Sequence, residues 1–121
     1  MHHTAIPIVS LEKSQSFYER LGFTKVREWK KPDEELSAVV IEKDGFTLEL
    51  IHHPSHQVIP PSPMVESRHL GIRASELDSL VADLQKEGIV LLKPITQGVT
   101  VTAFCFISDP SGNAVELFTV A

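Results

Sequence analysis

The chain has a single cysteine, Cys105, so no intrachain disulfide can form, and a reducing compartment fits such usage. It has no apolar run near the about 20 residues a bilayer-spanning helix needs. The opening MHHTAIPIV lacks the charged start and long apolar centre of a signal peptide. The expectation is a cytoplasmic protein. Basic clusters are missing as well: 11 Lys and Arg are scattered among 16 Asp and Glu, for a net charge of -5. Neither a phosphate backbone nor an anionic membrane surface would find a footprint here, so nucleic acid and membrane are excluded as expected partners. What is present is ordinary globular composition, 42% hydrophobic over 121 residues, enough for one domain with a real core.

HTAIPIV reads as a strand, and SLEKSQSFYERLGF as a helix capped by Ser10 and stopped by Gly22. KVREWKK and LSAVVIE read as strands around the polar turn PDEE, and FTLELIHH as a strand entered through the hairpin signal Asp44-Gly45. PSHQVIPPSPMVES, residues 54–67, is proline-rich and aperiodic, a linker. The pattern then restarts with the strand HLGIRA, the helix SELDSLVADLQKEG, the strands IVLLKPI and VTAFCFI, the turn DPSG and the strand NAVELFTV.

The two halves keep register. His69, Ile72, Leu77 and Gly88 each lie 66 residues after His3, Ile6, Leu11 and Gly22, whereas Gly112, Glu116 and Leu117 lie 67 after Gly45, Glu49 and Leu50. A one-residue insertion between the helix and the last strand accounts for the change, and loops absorb such insertions at little cost. The expected architecture is α+β: one domain over 1–121, built from module 1 (1–53), the linker (54–67) and module 2 (68–121), each module βαβββ, together forming a curled mixed sheet.

Alternation along a strand puts Glu116 on one face with Ala114 and Phe118, and Glu49 with Thr47 and Ile51. His3 falls with Ala5 and His69 with Gly71, so each of the four polar residues has a small neighbour two positions away. Modules facing each other would gather His3, Glu49, His69 and Glu116, a two-nitrogen, two-oxygen set suited to a divalent first-row ion. Such an ion would also account for carboxylates in strands that otherwise read as buried. Taken singly, His3 reads as a terminal residue of no consequence, His69 as a core or edge histidine, and each Glu as a solvent-facing edge residue; the joint register favours the metal set. Weaker candidates are a second metal patch at His52, His53 and His56, set against a solvated loop, with His53 sharing the parity of Glu49. Trp29, Phe104 and Phe106 could line an apolar pocket, set against core packing. Cys105 reads as an inert buried thiol.

HTAIPIVSLEKSQSFYERLGF, RHLGIRAS and FISDPSGNAVELF resemble the opening, the second-module start and the closing strand of the vicinal oxygen chelate superfamily. That group spans glyoxalase I, methylmalonyl-CoA epimerase, extradiol dioxygenases, and fosfomycin and bleomycin resistance proteins. The resemblance covers nearly the whole chain and implies paired modules around a metal held at the positions of His3, Glu49, His69 and Glu116. The His-Glu-His-Glu order is most similar to glyoxalase I, a lactoylglutathione lyase. It implies a metal-dependent lyase or isomerase acting through a metal-stabilised enediolate on a small carbonyl or thiohemiacetal substrate. Zinc or nickel is the first expectation, with cobalt, manganese or iron admissible, and Glu116 is the expected base with Glu49 its counterpart. Where glutathione-using members carry Arg and Asn, this chain has Pro7 and His53, so the resemblance does not extend to glutathione. The alternatives are an epimerase, or a small-molecule binding protein without turnover. A homodimer is expected, with modules paired within one chain or exchanged between two.

Overall fold

The computed structural model describes residues 2–60 and 68–121. The chain divides into two compact units, Met1–Ile59 and Pro60–Ala121. No helix among the described residues is long and apolar enough to cross a membrane. Residues 54–60 form neither helix nor strand, and the rest of the expected linker, 61–67, lies outside the described residues.

The first unit runs β1 (His3–Ile8), α1 (Leu11–Arg20), β2 (Thr24–Lys31), a 3-10 turn (Pro32–Glu34), β3 (Leu36–Lys43) and β4 (Phe46–His52). Its sheet has the order β1-β4-β3-β2, with β1 parallel to β4 and the other pairs antiparallel. No hairpin can close a parallel pair, so the chain must cross over, and α1 occupies part of that crossover. The Ser10 side chain accepts a hydrogen bond from the Lys13 N–H at 3.2 Å, satisfying one of the helix's orphan donors. At the other end Gly22 takes φ +104°, the Gly22 N–H bonds the Glu19 carbonyl, and the Phe23 N–H bonds the Tyr18 carbonyl. This wrapped ending needs a positive φ that glycine accepts without a Cβ clash. Asp44 and Gly45, both at positive φ, form the two-residue hairpin between β3 and β4.

One face of this sheet carries Ile6, Ile8, Val39, Ile41, Leu48 and Leu50, all buried, and α1 packs on β3 and β4. Burying each such side chain stabilises the fold by about 1.5–3 kcal/mol. The opposite face receives the odd-numbered residues of β1 and β4, including His3 and Glu49.

The second unit repeats the plan with β5 (Leu70–Arg73), α2 (Leu77–Lys86), β6 (Leu91–Gln97), β7 (Ala103–Ser108) and β8 (Ala114–Thr119), ordered β5-β8-β7-β6. Again the first and last strands are parallel. Gly88, at φ +91°, closes α2 with bonds from Gly88 N–H to Gln85 and from Ile89 N–H to Leu84, 66 residues on from the first copy. The α+β architecture of two βαβββ modules is therefore as expected, with the ladders divided into one four-stranded mixed sheet per module.

Boundaries shift in β6, which starts two residues later than its sequence pattern suggests. The Ile89 N–H is consumed in closing α2, and the ladder to β7 slips between Lys93 and Thr96, around Pro94, which has no N–H to donate. The inserted residue can now be located. Val40 pairs with Glu49 and Phe106 with Glu116, so the offset is still 66 in β7 and becomes 67 in β8. It therefore sits in the turn of residues 109–113.

That turn is tied by one buried carboxylate. Asp109 Oδ1 accepts from the N–H groups of Ser111 and Asn113, each at 2.8 Å, and Oδ2 from Asn113 Nδ2 at 2.9 Å. These bonds set where β8 begins and hence where Glu116 points. Asp109→Ala leaves those donors unpaired and is expected to destabilise the protein by about 1–3 kcal/mol, read as a lowered urea midpoint with an unchanged slope.

Candidate metal centre

In the first unit Ala5 is the ladder partner of Glu49, and His3 precedes Ala5 by two residues on the same face of β1. The result is a diagonal pair with His3 Nε2 3.8 Å from Glu49 Oε1. In the second unit Gly71 is the partner of Glu116, and His69 stands two residues before it, with Nε2 3.2 Å from Glu116 Oε1. The same register produces the same pair twice.

These separations can be judged against coordination geometry. Two ligands each about 2.0–2.1 Å from one ion, at tetrahedral or octahedral angles, lie about 2.9–3.4 Å apart. The His69–Glu116 pair has that spacing already, and the His3–Glu49 pair needs a side-chain shift of about half an ångström to reach it. Both carboxylates are only about one-fifth exposed, 18% for Glu49 and 20% for Glu116, where an uncompensated charge is costly. Among the described residues no group of three or more His, Cys, Asp or Glu is gathered as for a metal; the donors come as one pair in each unit.

The surroundings of the two pairs differ. Glu49 Oε2 accepts a 2.7 Å hydrogen bond from the indole N–H of Trp29. The ladder partner of Glu116 is Phe106, itself paired with Lys93; the His69 ring meets Phe106 edge-on at 4.9 Å, and Phe106 meets Phe104 at 5.8 Å. Lys93 Nζ lies 5.3 Å from the centre of the Phe104 ring. A Cβ built on Gly71 would sit 3.6 Å from Glu116 Oε1 and 3.5 Å from Phe118 Cε1, ordinary contact distances, so the position would accept an alanine like Ala5 in the first copy.

The sequence profile of the Glyoxalase/Bleomycin resistance protein/Dioxygenase superfamily matches residues 1–117. The chain belongs to this superfamily. Two relatives of uncharacterised function align end to end: YwkD of Bacillus subtilis, 29% identical over 98% of this chain and 94% of its own, and YaeR of Escherichia coli, 27% identical with the same coverage. Among solved structures, the glyoxalase family protein of Enterococcus faecalis superposes with a TM-score of 0.76 at 26% identity, over 98% of this chain and 95% of its own. The trypanothione-dependent glyoxalase I of Leishmania major superposes with a TM-score of 0.77 at 26% identity, over 97% and 84%.

Within this superfamily frame, Trp29 is the residue that sequence reasoning missed. Its sequence pattern reads as apolar pocket lining or core, whereas its N–H is spent on a candidate ligand. Of the histidines at the end of β4, the rings of His53 and His56 lie 5.9 Å apart, but His53 Nδ1 accepts from the Ser55 N–H at 3.0 Å and His56 Nδ1 lies 3.3 Å from the Ile8 carbonyl oxygen. Those contacts tie them to their own turn and to β1.

Cys105 is fully buried in β7, on the face opposite Phe106. Burial, reinforced by the charge of Glu116, pushes its thiol up to about 11, although a hydrogen bond with the Leu117 backbone pulls the other way. At pH 8 the thiolate is scarce and enclosed, so a thiol-reactive disulfide reagent should label the folded protein slowly and the urea-unfolded protein fully. Rapid native labelling would contradict the placement.

Proposed function

We propose that this superfamily member is a metal-dependent lyase or isomerase resembling glyoxalase I, with His3, Glu49, His69 and Glu116 as the protein ligands of one divalent ion, zinc or nickel first. The observation that carries the reading is the twice-repeated His–Glu diagonal, with nitrogen–oxygen spacings of 3.8 and 3.2 Å, on the sheet face away from the core. Neutral imidazole and carboxylate oxygen are suitable donors for such ions. When bound, the ion supplies Lewis-acid stabilisation of negative charge developing on adjacent substrate oxygens.

The chain's own groups do the rest. His3 and His69 hold their nitrogens beside the carboxylates. Glu116 takes the proton from the substrate carbon next to the carbonyl and returns it to the former carbonyl carbon, while the hydroxyl proton of the first carbon passes to the former carbonyl oxygen, so the isomerisation has no net change in atoms. Phe106, the ladder partner of Glu116, and Phe104 packed against it supply an apolar side to the carboxylate that would limit water there. Return of the proton to the other face of the same carbon would instead give an epimerase, in which Glu49 serves as the second acid–base group.

The thiol carried by the substrate is a separate matter. Pro7 carries no charge to pair with a carboxylate, and His53 is engaged with Ser55, so glutathione is not the favoured thiol. A glyoxalase I of this fold that depends on trypanothione supports a different thiol here. A homodimer is part of the proposal, since β1, β2, β5 and β6 are the outer strands of their sheets. The second reading, capture of a small molecule without turnover, is favoured by the superfamily's inclusion of bleomycin resistance proteins.

Metal content separates the two readings. Chelator-stripped protein given nickel or zinc at a hundred times the dissociation constant should gain about 2.7 kcal/mol of stability, seen as a raised melting temperature. No gain would favour capture. In a screen of hemithioacetals and thioesters, Glu116→Gln should lower turnover by about a hundredfold or more while the circular dichroism spectrum is unchanged. Full activity of that variant would remove Glu116 as base.

A further inference from the structure

The two candidate carboxylates occupy the same frame of a duplicated module but not the same chemical setting, and the difference comes from β2. Trp29 pairs with Ala38 of β3, which pairs with Ile51 of β4, while Val40 is the partner of Glu49. Trp29 is therefore two strands away from Glu49 and two residue pairs further along the sheet, on the same face. Ala38 is small enough to let the indole lean across it, and the Nε1–H reaches Glu49 Oε2 at 2.7 Å. In the second unit the ladder position matching Trp29 is Thr96, paired with Phe104 where the first unit has Ala38. The Thr96 hydroxyl donates to the Pro94 carbonyl at 2.8 Å, turned back onto its own strand. Glu116 Oε1 instead faces His69 Nε2 at 3.2 Å.

An indole N–H donates only, stays neutral and is not itself a ligand for divalent ions, so it can hold a carboxylate oxygen without competing for the cation. With Oε2 occupied, Glu49 is left with Oε1, the oxygen that faces His3 Nε2. Outer groups that orient a metal ligand in this way change metal affinity about 10- to 100-fold when removed.

We propose that Trp29 is a positioning residue that fixes Glu49 as a permanent, one-oxygen metal ligand, a restraint that Thr96 at the matching position does not place on Glu116. This rests on the metal-site reading above.

Trp29 is the only tryptophan, so 15N-labelled protein gives one indole N–H resonance. In the stripped protein that resonance should shift in Glu49→Gln and stay in place in Glu116→Gln. It should shift again when zinc alone is added to the wild type. Trp29→Phe keeps a ring and removes the donor; by calorimetry it should bind zinc about 10- to 100-fold more weakly than wild type while the melting temperature of the stripped protein changes little. An indole resonance indifferent to Glu49→Gln, or unchanged zinc affinity in a folded Trp29→Phe, overturns the proposal. Wild-type protein that binds no zinc, with the indole still responding to Glu49→Gln, overturns the metal reading and with it the permanent-ligand role. If Trp29→Phe does not fold, the two glutamate variants decide by the indole resonance.

Discussion

The parallel pairing of first and last strand within each module is the constraint on which the rest depends. It forces a crossover connection, and in both units a helix fills it and covers one sheet face. It also fixes a diagonal: the residue two before the ladder partner of the glutamate is a histidine in both copies. Because side chains alternate, burying Leu48 and Leu50 on the helix side obliges Glu49 to face the other way, and Leu117 does the same for Glu116. A carboxylate among apolar strand residues is thus a consequence of core packing on its two neighbours. What remains for the site is to provide that charge with a partner.

Duplication makes two such positions, and divergence then makes them unequal. The indole reaching past Ala38 gives Glu49 a neutral donor, while the matching Thr96 is turned onto its own strand and Glu116 faces His69. A carboxylate that accepts a short hydrogen bond from an indole is held in one rotamer, a restraint that Thr96 does not supply to Glu116. Two groups with identical backbone frames thus meet different partners, and the proposed division into ligand and base draws on that difference.

Membership of the superfamily sets the scaffold and the range of chemistries, and the side chains around each pair narrow it. The relatives that align over their full lengths carry no assigned activity, and the solved glyoxalases share about a quarter of their residues with this chain. The donor groups of the proposed metal set are separable from the groups that would grip a thiol substrate. Pro7 and His53 alter the latter without touching His3 or Glu49, which lie on the same sheet face.

Much of this was legible in the sequence because its signals are local and periodic. Ser10, Gly22, Asp44-Gly45 and the 66-residue spacing are backbone demands that particular residue types meet wherever they occur, and alternation alone put the histidines and glutamates on matching faces. Trp29 was not legible. The β2 ladder slips between Lys25 and Arg27, which breaks the parity count, and β2 is not a neighbour of β4, so only the sheet order brings the indole to Glu49. Nor could spacing show that the extra residue lies in the turn of Asp109. The sequence by itself determined the two modules, their helix ends and the candidate donors, since these follow from short-range geometry. The tertiary structure alone decided which donor each carboxylate meets, since that depends on strands packed side by side that lie far apart along the chain.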